Sequence, residues 1–380
     1  MDWIESLVLG VVQGITEFLP VSSDGHLAIT QQAFAWLTGH SRTGQEDLFF
    51  DIMLHAGTLA AILFSFRSVI VEGARGLFRG DGSVRPGYDR ASIVRAGVLA
   101  MVATSPLIPF ALFFKKRLEE MFQSSQAAGV GFLITGVVLL LVSSRLKAPE
   151  GGKGLAQTSW LDALLIGIAQ MFAPLPGVSR SGLTIASALA LGLTRTWSVG
   201  FSLLIAVPAI CGAVVFELKD VIKDHHALGL TPDRIGQTVA ATVVAGVVGY
   251  FAIIWLIRVV RSGQLWYFSV YLFALGTVVL ALSALSGGMD HGRSAKALDR
   301  TARVRGAESP AGRAGFRAGW ALDHSHAAGP RSDRPAIGAE QAGSWSGLEG
   351  LLLERSLADG SPRGRGRACL ALADRGPSGL

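Results

Sequence analysis

Six stretches of the chain stay apolar for long enough to cross a bilayer: 49–66, 93–114, 126–143, 197–216, 237–260 and 265–285. Each approaches the roughly 17 to 25 residues that a helix needs to span hydrocarbon. Two further stretches are apolar only in halves. Residues 3–19 and 27–37 flank the polar run EFLPVSSDGH at 17–26, and residues 160–172 and 183–193 flank APLPGVSRSG at 173–182. Pro20, Pro174 and Pro176 remove backbone donors where the polar residues cluster, so each stretch reads as two short helices around a broken centre.

With Trp3 laid on Trp160 without a gap, Leu7 meets Leu164, Gly10 meets Gly167, Gln13 meets Gln170, Val21 meets Val178, Ser22 meets Ser179 and Gly25 meets Gly182. Glu5 and Asp162 are also alike. Apolar bias aligns leucines, but it does not align Trp, Gln, Gly and Ser, so the pattern predicts an internal duplication. Three predicted spans lie between the broken pairs. If each pair enters and leaves on one side, that odd number puts the pairs on opposite faces. The expected fold is therefore an all-α membrane protein with six transmembrane helices and two re-entrant helical hairpins, arranged as inverted-topology repeats. The membrane domain covers 1–287, with repeat one at 1–145 and repeat two at 158–287. Irregular backbone at membrane depth is tolerated where it lines a protein-walled cavity.

Composition agrees: half the residues are hydrophobic, 16% are charged and the mean hydropathy is +0.44, against about a quarter charged in soluble domains. The start, MDWIE, has no basic region, so no cleaved leader is expected. Residues 288–380 are rich in Gly, Ala, Arg and Ser without a sustained apolar period, the composition of a disordered, low-complexity tail. Part of the net charge of +6 belongs to that tail and is no argument for nucleic acid. Cys211 and Cys369 supply neither a disulfide framework nor a thiolate metal site. Basic loop residues divide nine to seven if Met1 is outside, a small positive-inside excess. His225 and His226, in KDHHALG, read as part of a solvated loop.

The polar residues gathered at the two breaks carry the chemistry. The first offers Glu17, Ser22, Ser23 and His26, with Gln13 one turn before; the second offers Ser179, Arg180, Ser181 and Thr184. An arginine at membrane depth costs about 2.5 to 3.5 kcal/mol on insertion scales and seldom stands without a partner. Bracketed by serines and glycines ahead of a helix, Arg180 suits phosphate oxygens. Glu17 supplies a carboxylate for a base or a cation, and His26 an imidazole that titrates near neutrality. Blander readings stand beside these. Glu17 could be a structural partner of Arg180, the hydroxyls could bond their own helices, and Gly10, Gly14 and Gly167 could serve helix packing alone.

QGITEFLPVSSDGHL, FDIMLHAGTLAA at 50–61 and PGVSRSGLTIASALALG resemble the signature segments of the bacterial undecaprenyl-diphosphatase family, which is associated with bacitracin resistance. The resemblance covers roughly residues 1–286. It implies an integral membrane phosphatase of the bacterial cytoplasmic (inner) membrane, acting at its outer face. Its substrate would be the lipid undecaprenyl diphosphate, converted to undecaprenyl phosphate and inorganic phosphate to recycle the carrier of cell-wall synthesis. It further implies a divalent cation, magnesium or calcium, held through Glu17. Carried over residue by residue, Glu17 is the essential glutamate, Ser23 the nucleophile, His26 the motif histidine and Arg180 the phosphate-binding arginine. Ser22, Ser179, Ser181, Thr184 and Gln13 are substrate contacts. Asp51 and His55 would line the same cavity. Some members carry a glutamate where this chain has Gln13, so a two-carboxylate metal site is not assumed. Glu17 or His26 would take the proton from Ser23 or from water. The expected surroundings are membrane lipid, with a homodimer left open. The alternative function is a polyprenyl-phosphate flippase or anion transporter, to which inverted repeats with broken helices also belong.

Overall fold

The computed structural model describes residues 2–39, 45–79, 89–122, 124–145, 152–223 and 231–305. The His225–His226 pair and residues 306–380 lie outside these. Twelve α-helices run along the described residues: α1 Trp3–Thr16, α2 Ser23–Thr38, α3 Gln45–Ser65, α4 Arg67–Arg79, α5 Arg90–Thr104, α6 Leu107–Phe122, α7 Ser125–Arg145, α8 Trp160–Gln170, α9 Arg180–Ala190, α10 Arg195–Lys223, α11 Pro232–Arg261 and α12 Trp266–Arg305. The only β pairing among them is an isolated bridge between Lys153 and Leu193.

Among the described residues, five helical segments are long and apolar enough to cross a membrane: Arg90–Leu118, Ser125–Ser143, Arg195–Val215, Pro232–Arg261 and Trp266–Leu285. A sixth, Phe49–Ser65 with Arg67–Arg75, is bent by 63° at Phe66. These correspond one for one to the six predicted spans, and the chain is a multi-pass membrane protein. Its outer surface agrees: Val239, Val243, Val247, Phe251 and Trp255, spaced by one helical turn along α11, are all exposed, an apolar stripe matched to lipid rather than water. The span expected at 93–114 is less regular than its apolarity implied. Pro106 has no N–H to continue the ladder, and the helix is interrupted at 105–106 between α5 and α6 while Arg90–Leu118 still runs on as one span. At the other end, α12 continues to Arg305, past the expected domain boundary at 287.

The two predicted interrupted segments are interrupted. Helices α1 and α2 are separated by buried residues 17–22, and α8 and α9 by residues 171–179. Local chemistry sets their boundaries. The Ser159 hydroxyl accepts from the Asp162 N–H while the Asp162 carboxylate accepts from the Ser159 N–H, a capping box that starts α8. The Ser179 hydroxyl accepts from Gly182 N–H at the start of α9, and the Ser22 hydroxyl accepts from Gly25 N–H at the start of α2.

Helix packing follows the duplication. Helix α1 packs on α2 and α11, and its counterpart α8 packs on α9 and α5; α3 meets α11 as α10 meets α5, and α7 lies along α12. The equivalent glycines make equivalent contacts. A Cβ on Gly10 would sit 2.6 Å from the Ala241 carbonyl oxygen of α11, and one on Gly167 would run into the Ala103 carbonyl of α5. Small residues at both crossings let the backbones touch, which suits membrane interfaces where apolar burial gives little drive. The main core gathers Phe18, Phe132, Leu139, Leu203, Ile253 and Leu272, immediately behind the two breaks.

Candidate active site

The breaks meet. Gly25, in the first turn of α2, is packed so closely against the second break that an added Cβ would lie 3.0 Å from the Gly177 Cα and 2.7 Å from the Phe132 ring. Gly177 has φ +80° and lies against the Ala128 carbonyl of α7, a backbone conformation and an approach that only glycine supplies without strain. Thr135 of α7, fully buried, fixes the second break from behind: its hydroxyl donates toward the Gly131 and Gly177 carbonyls and accepts from Ser179 N–H at 3.1 Å. The Ser181 hydroxyl donates to the Leu19 carbonyl at 2.9 Å, joining one break to the other.

At this junction Glu17 accepts from three side chains. Arg180 Nη2 donates to Oε1 at 2.7 Å, while Ser23 Oγ at 2.7 Å and Gln13 Nε2 at 3.1 Å donate to Oε2. His55 Nε2 is 3.8 Å from Oε2. The Glu17 and Arg180 side chains are 5% and 17% exposed, so this is a buried ion pair with hydrogen bonds on both carboxylate oxygens. Such satisfaction is the condition under which a buried charge is tolerated. Arg180 Nη1 also reaches the Ala206 carbonyl at 3.3 Å. Asp24 is within electrostatic reach of Glu17, His55 and Arg180.

The remaining predicted residues separate into two groups. Ser179 and Thr184 are buried and their hydroxyls are engaged: Ser179 caps α9 and lies 3.2 Å from Ser181 Oγ, and Thr184 bonds the Arg180 carbonyl and Ser202 Oγ. His26 directs its ring nitrogens to partners other than Ser23 and Glu17. Its Nδ1 is 2.7 Å from the Ser22 carbonyl and its Nε2 is 2.7 Å from the Tyr271 hydroxyl. Ser22 is the one non-glycine residue with positive φ among the described residues, at φ 70° and ψ 104°. Such a backbone costs about 1 to 3 kcal/mol and persists only where its surroundings over-determine it. Asp51 accepts from Gln31 Nε2 at 3.4 Å, one turn of α3 away from His55.

Tyr271, Thr135 and Asp24 are the residues that motif reading passed over. Tyr271 lies in an aromatic-rich span where tyrosine reads as an interfacial residue, and Thr135 is a lone hydroxyl in an apolar helix. Asp24 stood inside the quoted decapeptide without a role.

A carboxylate, a serine hydroxyl bonded to it and a guanidinium, drawn from opposite halves of the chain, are the parts needed to activate a hydroxyl beside an anion. The sequence profile of the family described as bacitracin resistance protein BacA matches residues 6–278. The chain belongs to this family. Residues of both breaks fall inside the matched region. Proteins named undecaprenyl-diphosphatase are similar over nearly their whole length. The one from Carboxydothermus hydrogenoformans is 37% identical over 287 residues, covering 75% of this chain and 98% of that protein. The one from Desulfosudis oleivorans is 39% identical over 285 residues, covering 74% and 98%. That from Nocardioides sp. is 37% identical over 284 residues, covering 75% and 97%.

No group of three or more His, Cys, Asp or Glu side chains gathers into a metal site among the described residues. Oxygen donors at the junction include Glu17 and the side-chain Oε1 of Gln13, which is buried without a hydrogen-bond partner. A hard divalent cation takes about six oxygens, so these two side chains alone would leave most of such a sphere to other oxygens.

Proposed function

We propose that the chain is a membrane phosphatase that hydrolyses a polyprenyl diphosphate, undecaprenyl diphosphate, to the polyprenyl phosphate and inorganic phosphate. This would return the lipid carrier of cell-wall synthesis to use and so confer bacitracin resistance in the cytoplasmic membrane. The single observation that carries the reading is the contact of Ser23 and Arg180 with one carboxylate, Glu17, across the two breaks. The names of the relatives support the substrate class. In this reading α1–α2 and α8–α9 are re-entrant hairpins that enter from opposite leaflets, and the site opens toward the outer face.

Arg180 binds the diphosphate through the part of its fork that Glu17 does not occupy, and its charge offsets the negative charge of the terminal phosphoryl group. Ser23 Oγ attacks the terminal phosphorus, and its proton passes to Glu17 Oε2, 2.7 Å away. The bond from phosphorus to the bridging oxygen breaks, and the polyprenyl phosphate leaves with that electron pair. Water then attacks the phosphorus of the serine phosphate; as the bond from Ser23 Oγ to phosphorus breaks, Glu17 returns its proton to that oxygen, and the water's oxygen and protons leave as part of the inorganic phosphate. Phosphoryl transfer asks mainly for positioning and charge stabilisation, which fits a site with few reactive groups. A divalent cation would be held by Glu17, the Gln13 side-chain oxygen, substrate oxygens and water, and would supply further charge neutralisation. His26 is not the proton acceptor in this scheme, because both ring nitrogens are engaged elsewhere.

Phosphate release by the purified protein in detergent, from a polyprenyl diphosphate, tests the reading. Release that vanishes in Ser23→Ala, together with 32P retained on the wild-type protein after rapid quenching, supports it. Movement of intact lipid between leaflets of a vesicle without phosphate release would replace it with the carrier reading, to which inverted repeats with broken helices also belong.

A further inference from the structure

The hydrogen-bond partners of His26 fix the tautomer of its neutral ring. A carbonyl oxygen only accepts, so Nδ1, 2.7 Å from the Ser22 oxygen, carries the proton. In the neutral ring Nε2 is then the acceptor, and the Tyr271 hydroxyl donates to it at 2.7 Å. The two rings are nearly parallel, 13° apart with centroids separated by 5.7 Å, and Phe132 closes the other side edge-on at 5.1 Å.

Three hydrogen bonds hold the strained Ser22 in place. His26 N–H donates to its carbonyl at 3.3 Å and Gly25 N–H to its hydroxyl at 3.4 Å, both long. The 2.7 Å bond from the His26 ring is the short one. It acts on the peptide that leads directly into Ser23, whose hydroxyl must point at Glu17. Tyr271 belongs to α12, in the second half of the chain, so the ring is set from across the molecule.

We propose that Tyr271 is a positioning residue for the phosphatase reaction: by donating to His26 it fixes the Nδ1–H tautomer, which clamps the Ser22 peptide and aims Ser23 at Glu17. The proposal rests on the reading of Ser23, Glu17 and Arg180 given above. It gives Tyr271 no contact with substrate. A tyrosine that merely satisfies its hydroxyl at a half-wet site would leave turnover unchanged when that hydroxyl is removed.

Tyr271→Phe deletes one oxygen from a half-exposed side chain. Measured as phosphate release by the full-length protein in detergent, it lowers kcat by about ten- to a hundredfold, the scale of a small misplacement of a reacting group, and leaves KM unchanged. In protein labelled with 15N-histidine, the His26 resonances, assigned by their absence in His26→Ala, change from a single Nδ1–H form to a mixture. In a His26→Ala background Tyr271→Phe has no further effect. His26→Asn, which places an N–H near the position of Nδ1, recovers part of the activity lost in His26→Ala and is indifferent to Tyr271→Phe. An unchanged kcat, a raised KM at constant kcat, an unaltered tautomer, or losses that multiply in the His26→Ala background would each overturn the proposal. If Ser23→Ala and Glu17→Gln also retain full turnover, the site reading has failed; if those abolish it while Tyr271→Phe leaves kcat alone, only the positioning role has.

Discussion

Replacing Glu17 by glutamine keeps the shape of the side chain and removes its charge. Both oxygens of the carboxylate now accept, from Arg180 on one side and from Ser23 and Gln13 on the other. A carboxamide has one acceptor oxygen and one donor nitrogen, so with its oxygen kept on Arg180 its nitrogen meets Ser23 and Gln13, which must turn to accept, and the guanidinium loses its counter-charge. The bond to a charged partner is worth about 1.5 to 3 kcal/mol, and breaking a buried pair from one end costs about 3 to 5 kcal/mol. Because Arg180 retains some exposure, the lower end, about 3 kcal/mol, is the expected loss of stability. Loss of the proton acceptor adds a rate penalty of about a hundred- to ten-thousandfold. Phosphate release from a polyprenyl diphosphate, scaled to the folded fraction read from thermal melts, separates the two effects. Glu17→Asp, which keeps the charge and shortens the reach, falls between wild type and Glu17→Gln. A Glu17→Gln protein that stays folded and turns over within tenfold of wild type would refute both the proton transfer and the pairing argument.

Other consequences are independent of that one. Gly177→Ala forces a Cβ into the Ala128 carbonyl at φ +80°, so the second break shifts and both melting temperature and turnover fall, with a destabilisation of about 1 to 3 kcal/mol. Chelation of divalent cations lowers phosphate release, magnesium or calcium restores it, and Gln13→Glu raises the affinity for the restoring ion in a titration of activity. Asp89 caps α5, and the hydrogen bonds from Ser92 hold its carboxyl below the usual carboxylate range. Its stabilising contribution is therefore present above the unfolded value near about 3.9 and lost as the pH falls through the lower folded value. Asp89→Ala should cost about 1 kcal/mol at neutral pH and little at pH below that window, read as the difference between melts at the two pH values.

Much of this architecture was legible because the bilayer is an exacting solvent. It demands long apolar helices, and it makes any polar residue between them conspicuous. Glu17, Ser23 and Arg180 stood out against apolar flanks, and the pairing of Trp3, Gly10, Gln13 and Ser22 with Trp160, Gly167, Gln170 and Ser179 disclosed the duplication. What apolarity could not reveal was local backbone detail. Pro106 interrupts the helix inside a span whose hydropathy is continuous, and the bend of 63° at Phe66 falls where the predicted span ends, so hydropathy marked the place but not the change of direction. Long-range side-chain partners were equally hidden. The partners of the His26 ring, the Ser22 carbonyl and Tyr271, 245 residues away, could not be read from the motif. Gln13, expected as a substrate contact, donates to Glu17, and its own oxygen has no hydrogen-bond partner.

The account stands or falls on whether Glu17 and Arg180 act as one unit. Initial rates of phosphate release for Glu17→Gln, Arg180→Ala and the double variant, each corrected for folded fraction, measure this directly. Groups that work together lose their function together, so the double variant should be no slower than the worse single variant. Losses that multiply, or an Arg180→Ala enzyme near wild-type rate, would contradict it.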